Sequence, residues 1–215
     1  MKKYTFLISI LLLAICFIAC KKKNPQREET KKTITEWMGK TIVFPNDVSC
    51  TYLLQDNVTD DNCVTDKPFK IFLYVDSVGC TSCKLRLFDW KSVINDADTL
   101  LPGQVDFVFY FHPKNIKELT LLLKRDRFEY PIYLDLEDKI NKLNDFPKNS
   151  NYHCFLLDAD NRVLSIGNPL LNPNIWNLYK QVISGKIEPE KKNSNTIVTT
   201  DKYDIEISKL VVGMK

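Results

Sequence analysis

The stretch Phe69-Lys70-Ile71-Phe72-Leu73-Tyr74-Val75, followed after three residues by Gly79-Cys80-Thr81-Ser82-Cys83-Lys84, decides how this chain is read. The first part is an apolar run with one interruption, the pattern of a central strand covered on both faces. Beyond the cysteines, Cys83, Leu87, Trp90 and Ile94 recur at i, i+4, i+7 and i+11, one stripe of a helix. A C-x-x-C at a strand-to-helix junction is where a dithiol–disulfide redox centre is built. Its first cysteine meets the partial positive charge of the helix N-terminus, which favours the thiolate. The two-residue spacer lets the second thiol reach back and resolve a mixed disulfide. The same residues also fit half of a zinc site or a structural disulfide. Zinc needs two further ligands, and no second C-x-x-C or H-x-x-x-H occurs in the chain.

Upstream, residues 1–19 read as an export signal. Lys2 and Lys3 form its charged start, Phe6 to Ile18 is almost wholly apolar, and Lys21, Lys22 and Lys23 end it abruptly. The run is too short for a comfortable membrane span. Phe17-Ile18-Ala19-Cys20 resembles the bacterial lipoprotein cleavage box, which prefers leucine where Phe17 stands. That resemblance implies that Cys20 becomes the lipidated first residue of an exported, membrane-anchored protein facing the periplasm. The alternative is an ordinary signal peptide with an incidental cysteine.

Export puts Cys50, Cys63, Cys80, Cys83 and Cys154 in an oxidising compartment. An odd number leaves at least one thiol unpaired within the monomer. Cys50 and Cys63 flank a polar loop, Gln55 to Asn62, and are candidates for a structural bridge that closes it. Cys154 reads as a buried strand thiol. Loss of Lys2 and Lys3 lowers the formal charge from +3 to +1, a balance that gives no support for nucleic-acid binding.

The organisation expected is a signal at 1–19, a charged tether at 20–32, one domain at 33–185 and a linker with a short extension at 186–215. Thr33 to Met38 reads as a helical turn ended by Gly39, Thr41 to Pro45 as a short strand, and Pro68 as the start of the core. Val105 to Phe111 is a second buried strand ending at His112. Ile116, Leu119, Thr120 and Leu123 mark a helix. Tyr130 to Leu134 and Leu136 to Leu143 read as an extended piece and a short helix. Cys154–Leu157 and Arg162–Ile166 are strands of a hairpin whose turn contains Asn161, a residue suited to positive φ. Asn172 caps and Pro173 starts a last helix, with Ile175, Leu178, Tyr179, Val182 and Ile183 on one face before Gly185. Thr196 to Ile207 alternates weakly, as a peripheral strand does.

Two β–α units followed by an antiparallel hairpin and a closing helix give an α/β fold with a central mixed sheet flanked by helices. Over roughly residues 68–184 the chain resembles the extracytoplasmic thioredoxin-like proteins of the TlpA type. Cys80-Thr81-Ser82-Cys83-Lys84 and Phe155-Leu156-Leu157-Asp158-Ala159-Asp160-Asn161-Arg162-Val163, with Gly167 following, carry the likeness. Glu36-Trp37, Gly39-Lys40, Ile42 and Phe44-Pro45 resemble the leading segment of lipoproteins in that group. The resemblance implies a thiol–disulfide oxidoreductase acting on protein thiols or disulfides, with Cys80 as nucleophile, Cys83 as resolving thiol and no cofactor.

Three positions depart from the family. Its cis-proline position is Tyr152, where a cis peptide would cost about 3 kcal/mol, so a trans peptide is expected. Its buried acid, six residues before the first cysteine, is Tyr74, with Asp76 the nearest carboxylate. Gly79 replaces an aromatic residue. Gly79, Thr81, Ser82, Tyr152 and His153 are expected to border the substrate groove, with the Tyr152 ring narrowing it. Parallel strands bring His112 to the same edge as the dithiol. Two other functions fit these residues: a redox-silent binding module, or a copper or zinc carrier using the thiols and an imidazole. No resident metal is expected. Free-thiol titration separates the three.

Overall fold

The computed structural model describes residues 25–54, 58–60, 63, 66–78 and 85–188. Its strands are β1 (Cys50–Tyr52), β2 (Val58–Asp60), β3 (Phe69–Val75), β4 (Val105–Phe111), β5 (Ile132–Leu134), β6 (Cys154–Asp158) and β7 (Val163–Ile166). Its helices are α1 (Pro25–Trp37), α2 (Leu87–Leu100), α3 (Ile116–Arg125), α4 (Lys139–Asn144) and α5 (Pro173–Ile183), with a 3-10 turn at Ser150–Tyr152. One sheet runs in the order β2-β1-β5-β4-β3-β6-β7. β3 pairs parallel with β4 from Phe69↔Val105 to Val75↔Phe111, and antiparallel with β6 from Phe69↔Asp158 to Leu73↔Cys154. Helical crossovers make parallel pairing the natural outcome for β3 and β4. A parallel β3–β4–β5 set with an antiparallel β6–β7 hairpin on its other side is the thioredoxin-like arrangement.

The apolar run of β3 is explained by its two covered faces. Ile71, Leu73 and Val75 point into a core shared with Leu87, Trp90 and Ile94 of α2, Leu119 and Leu123 of α3, and all five predicted residues of α5. Phe72 and Tyr74 alternate into a second core with Ile34 and Trp37 of α1, Ile140 of α4, Phe146, Tyr152 and Phe155. The period of two places every β3 residue on one face or the other. Asn161 takes φ 61 in the hairpin turn, and the Asn172 side chain caps α5 by accepting from the Asn174 amide.

The upstream boundary differs from the sequence reading. Residues 25–32, expected in the tether, form the first turns of α1. Thr30, Ile34 and Trp37 are buried at i, i+4 and i+7, and Trp37 stacks on Phe146 with centroids 5.5 Å apart. One threonine among charges gives that stripe little hydrophobic signal; tertiary packing supplies what propensity does not. Thr41 to Pro45 makes only an isolated bridge, Thr41↔Arg162, because Phe44 turns into the second core rather than continuing a ladder. The core also starts before Pro68: β1 pairs with β5 and extends the sheet. At the other end, Ile187 is buried and its amide donates to Gln181 O, so the domain runs past residue 186. The expected strand at Thr196–Ile207 lies outside the described residues.

Candidate functional site

Gly79, Cys80, Thr81, Ser82 and Cys83 lie outside the described residues, as does Cys20. The chain that flanks the motif is described. β3 stops at Val75, the Asp76 carboxylate accepts from the Val78 amide, and the chain resumes at Leu85 ahead of α2. Arg86 adopts a left-handed φ of 41 immediately before α2. Its Nε donates to Asp89 Oδ2 at 2.7 Å and one terminal nitrogen donates to Leu170 O at 2.7 Å. A non-glycine residue in that conformation persists only where its surroundings hold it, and these two bonds do so.

Between these flanks and the loops before β6 and after β7 is a cavity of about 100 Å³. Asp76, Arg86, His153, Asn168 and Leu171 line it, with Ser150, Asn151 and the end of β3. His153 is 5 % exposed. Its Nε2 lies 2.6 Å from Pro147 O, and a carbonyl only accepts, so Nε2 carries the hydrogen. Nδ1 is then the basic nitrogen, 3.9 Å from Asp76 Oδ2. An ion pair forms whenever Nδ1 takes a proton. Spacing alone did not reveal this pair, because Asp76 follows β3 and His153 precedes β6, strands that are adjacent only in the folded sheet.

Tyr74, at the family's acid position, cannot substitute for it as a proton acceptor. Its hydroxyl donates to Asp138 Oδ1 at 2.5 Å. Burial, and then the neighbouring Asp138 carboxylate, push its pKa well above the ordinary tyrosine value. The phenol therefore keeps its proton at any physiological pH.

Tyr152 corrects the sequence reading. The described residues contain no cis peptide, in line with the expected trans bond, but the ring does not narrow the cavity. It is buried in the second core, and its hydroxyl lies 2.7 Å from Thr30 Oγ1 on α1. Its amide donates to Asn149 O within the 3-10 turn, whose Asn149 side chain accepts from the Asn151 amide. The turn sends Asn151 and His153 toward the cavity and Tyr152 away from it. The unread signal was Thr30, the only polar member of the α1 stripe.

The candidate structural bridge lies away from this cavity. Cys50 and Cys63 are joined as a disulfide with Cα atoms 6.3 Å apart. Cys50 is on β1, three strand spacings from β3, roughly 14 Å along the sheet. It ties down the β1–β2 hairpin and lies apart from the cavity. Cys154 is fully buried, and burial pushes its thiol well above the usual cysteine range. His112 does reach the predicted edge, its amide donating to Val75 O, while its Nδ1 sits 2.9 Å from Asp135 O. No set of three metal-ligating side chains occurs among the described residues.

The chain matches no protein-family model and no curated protein sequence. Among solved structures it is similar to a thiol:disulfide interchange protein from Bacteroides sp., at 11% identity and TM-score 0.49, over 70% of this chain and 93% of that one. It is similar to the thioredoxin domain of a thiol-disulfide oxidoreductase from Bacteroides vulgatus, at 11% identity and TM-score 0.47, over 66% of this chain and 97% of the other. Peroxiredoxin Q of Xanthomonas campestris gives 11% identity and TM-score 0.46, over 67% and 92%. The likeness concerns the path of the chain.

Proposed function

We propose that this chain is a membrane-anchored, extracytoplasmic thiol–disulfide oxidoreductase working through Cys80 and Cys83 on protein disulfides. The observation that carries the reading is the sequence Cys80-Thr81-Ser82-Cys83, which falls in the chain between a central parallel strand and a helix start, together with a His153–Asp76 pair at the end of that strand. The Cys80 thiolate attacks one sulfur of a substrate disulfide. That S–S bond breaks, a mixed disulfide forms, and the first substrate thiolate leaves and takes a proton. Cys83 then loses its proton and attacks Cys80 Sγ, closing the Cys80–Cys83 bond and releasing the second substrate thiolate. The substrate gains two electrons and two protons; the dithiol loses both, and a donor dithiol restores it.

The proton leaving Cys83 needs an acceptor, and Tyr74 is excluded. His153 Nδ1 fills that role, with Asp76 beside it to pair with the imidazolium. Anchoring follows from Cys20 as the lipid-bearing residue. The test is exchange with a peptide disulfide. Wild type exchanges, Cys80→Ser does not, and Cys83→Ser accumulates a mixed disulfide through Cys80. Equal rates in wild type and Cys80→Ser refute the reading, and membrane retention of Cys20→Ser refutes the anchor. A redox-silent binding module would leave all variants equally inert.

A further inference from the structure

His153 is held by the loop that runs from Phe146 to Tyr152, and α1 grips both ends of that loop. The loop supplies Pro147 O to His153 Nε2 and Ser150 O to the His153 amide. At its start the Phe146 ring stacks on Trp37, with centroids 5.5 Å apart. At its end the Tyr152 hydroxyl meets Thr30 Oγ1 at 2.7 Å. Thr30 and Trp37 stand at i and i+7, on one stripe of α1. From the other side, the Tyr74 amide donates to His153 O, and the rings of Tyr74 and Phe146 pack on the imidazole.

The hydroxyl at Thr30 needs a physical reason. The residue is 2% exposed, and a valine would fill the same volume with no polar atom to satisfy. What the hydroxyl adds is direction. Its bond fixes where the Tyr152 ring sits along α1, a position that apolar packing defines less sharply. That position matters at the neighbouring residue, whose Nδ1 lies 3.9 Å from Asp76 Oδ2, at the outer limit of an ion pair. The other charged or titratable groups around His153, among the described residues, come from several elements. Tyr74 lies on β3, Arg86 precedes α2, and Asp138 precedes α4 and is bonded to Tyr74. Tyr152 and the exposed Lys148 belong to the loop itself.

We infer that α1 is a brace that sets the basicity of His153, with Thr30 as a positioning residue acting through Tyr152. Retreat of Nδ1 by about 1 Å weakens the attraction to Asp76 by about a fifth. At an effective dielectric of about 20, that lowers the His153 midpoint by roughly 0.6 pH unit. Water entering a loosened loop acts in the opposite sense, because it eases protonation. A fall therefore identifies the distance to the carboxylate as what α1 controls. The inference deepens the proposed function and rests on it only where exchange is read.

The test is an NMR titration of the two histidine rings in the full chain, at one fixed redox buffer, for wild type, Thr30→Val, Thr30→Ser and Tyr152→Phe. His112, the other histidine, serves as the internal control, since its Nδ1 is tied to Asp135 O instead. Thr30→Val and Tyr152→Phe, which remove the same bond from opposite ends, are expected to lower the His153 midpoint by about half a pH unit and to leave His112 in place. Thr30→Ser keeps the hydroxyl and is expected to keep the wild-type midpoint. The pH profile of peptide-disulfide exchange is expected to move with His153. An unmoved or raised His153 midpoint in both variants, or an equal movement of His112, overturns the inference and leaves the exchange chemistry untouched. A midpoint that falls while the exchange profile stays in place supports the brace and removes His153 as the proton acceptor.

Discussion

Replacing Tyr152 with phenylalanine isolates the link between α1 and the loop that carries His153. The two oxygens are 2.7 Å apart, and Thr30 and Tyr152 are 2% and 5% exposed, so water does not compete for the bond. A buried hydrogen bond of this kind contributes about 1–1.5 kcal/mol net, and stranding one partner adds a desolvation penalty. Tyr152→Phe is therefore expected to cost about 1–2 kcal/mol. At roughly 2–4 °C per kcal/mol for a domain of this size, Tm falls by about 2–8 °C. Thr30→Val is expected to cost a similar amount. Urea denaturation of wild type, both single variants and the double variant closes a cycle, with an expected coupling of about 1 kcal/mol. Tyr152→Pro is far harsher, removing a buried ring and the amide bond to Asn149 O, and it is expected to unfold much of the population rather than tune exchange. A stable Tyr152→Pro protein, or a coupling near zero with two neutral single variants, would refute the packing of α1 against this loop.

Trp37→Ala removes a ring stacked on Phe146 and tilted against Phe155, and is expected to cost about 3–5 kcal/mol by chemical denaturation. Gly167→Ala is expected to destabilise by about 1–3 kcal/mol: φ is +135, and a new Cβ would stand 2.5 Å from Ile175 Cδ1. Ile175→Val, measured in the same background, is expected to recover part of that loss. Cys154 is expected to resist alkylation at pH 8 in the native state and to label fully in denaturant, as read by mass spectrometry. His153→Gln is expected to move the pH profile of exchange while leaving secondary structure unchanged. Among the described residues, the charged and titratable groups lining the cavity with it are Asp76, Arg86 and Tyr74, and an unmoved profile excludes Nδ1 as the proton acceptor.

Much of the fold was legible because β3, β4 and the β6–β7 hairpin carry their burial in composition. Seven-residue apolar runs have few alternatives, and Asn161, Asn172 and Pro173 mark turn and cap by their own backbone chemistry. The α1 helix was less legible because its buried face is Thr30, Ile34 and Trp37 amid lysines and glutamates, and only the partner surface makes that stripe apolar enough. β1 and β2 are three residues each, joined to the sheet through β5 and tied down by the Cys50–Cys63 bond, so periodicity had too few positions to register. At the site, the C-x-x-C is a local motif and could be read. The Asp76–His153 pair and the Tyr74–Asp138 bond link residues 64 or more positions apart, and no local pattern encodes them.

The most direct measurement equilibrates the protein in dithiol–disulfide buffers across a range of potentials, alkylates the free thiols, and locates them by mass spectrometry. The account predicts that Cys80 and Cys83 appear together as a single two-electron couple, the equilibrium constant changing tenfold for each interval of about 30 mV. Over that range Cys50–Cys63 stays closed and Cys154 stays unlabelled. A Cys80–Cys83 pair that opens only where Cys50–Cys63 also opens, or two thiols that respond independently, would contradict it.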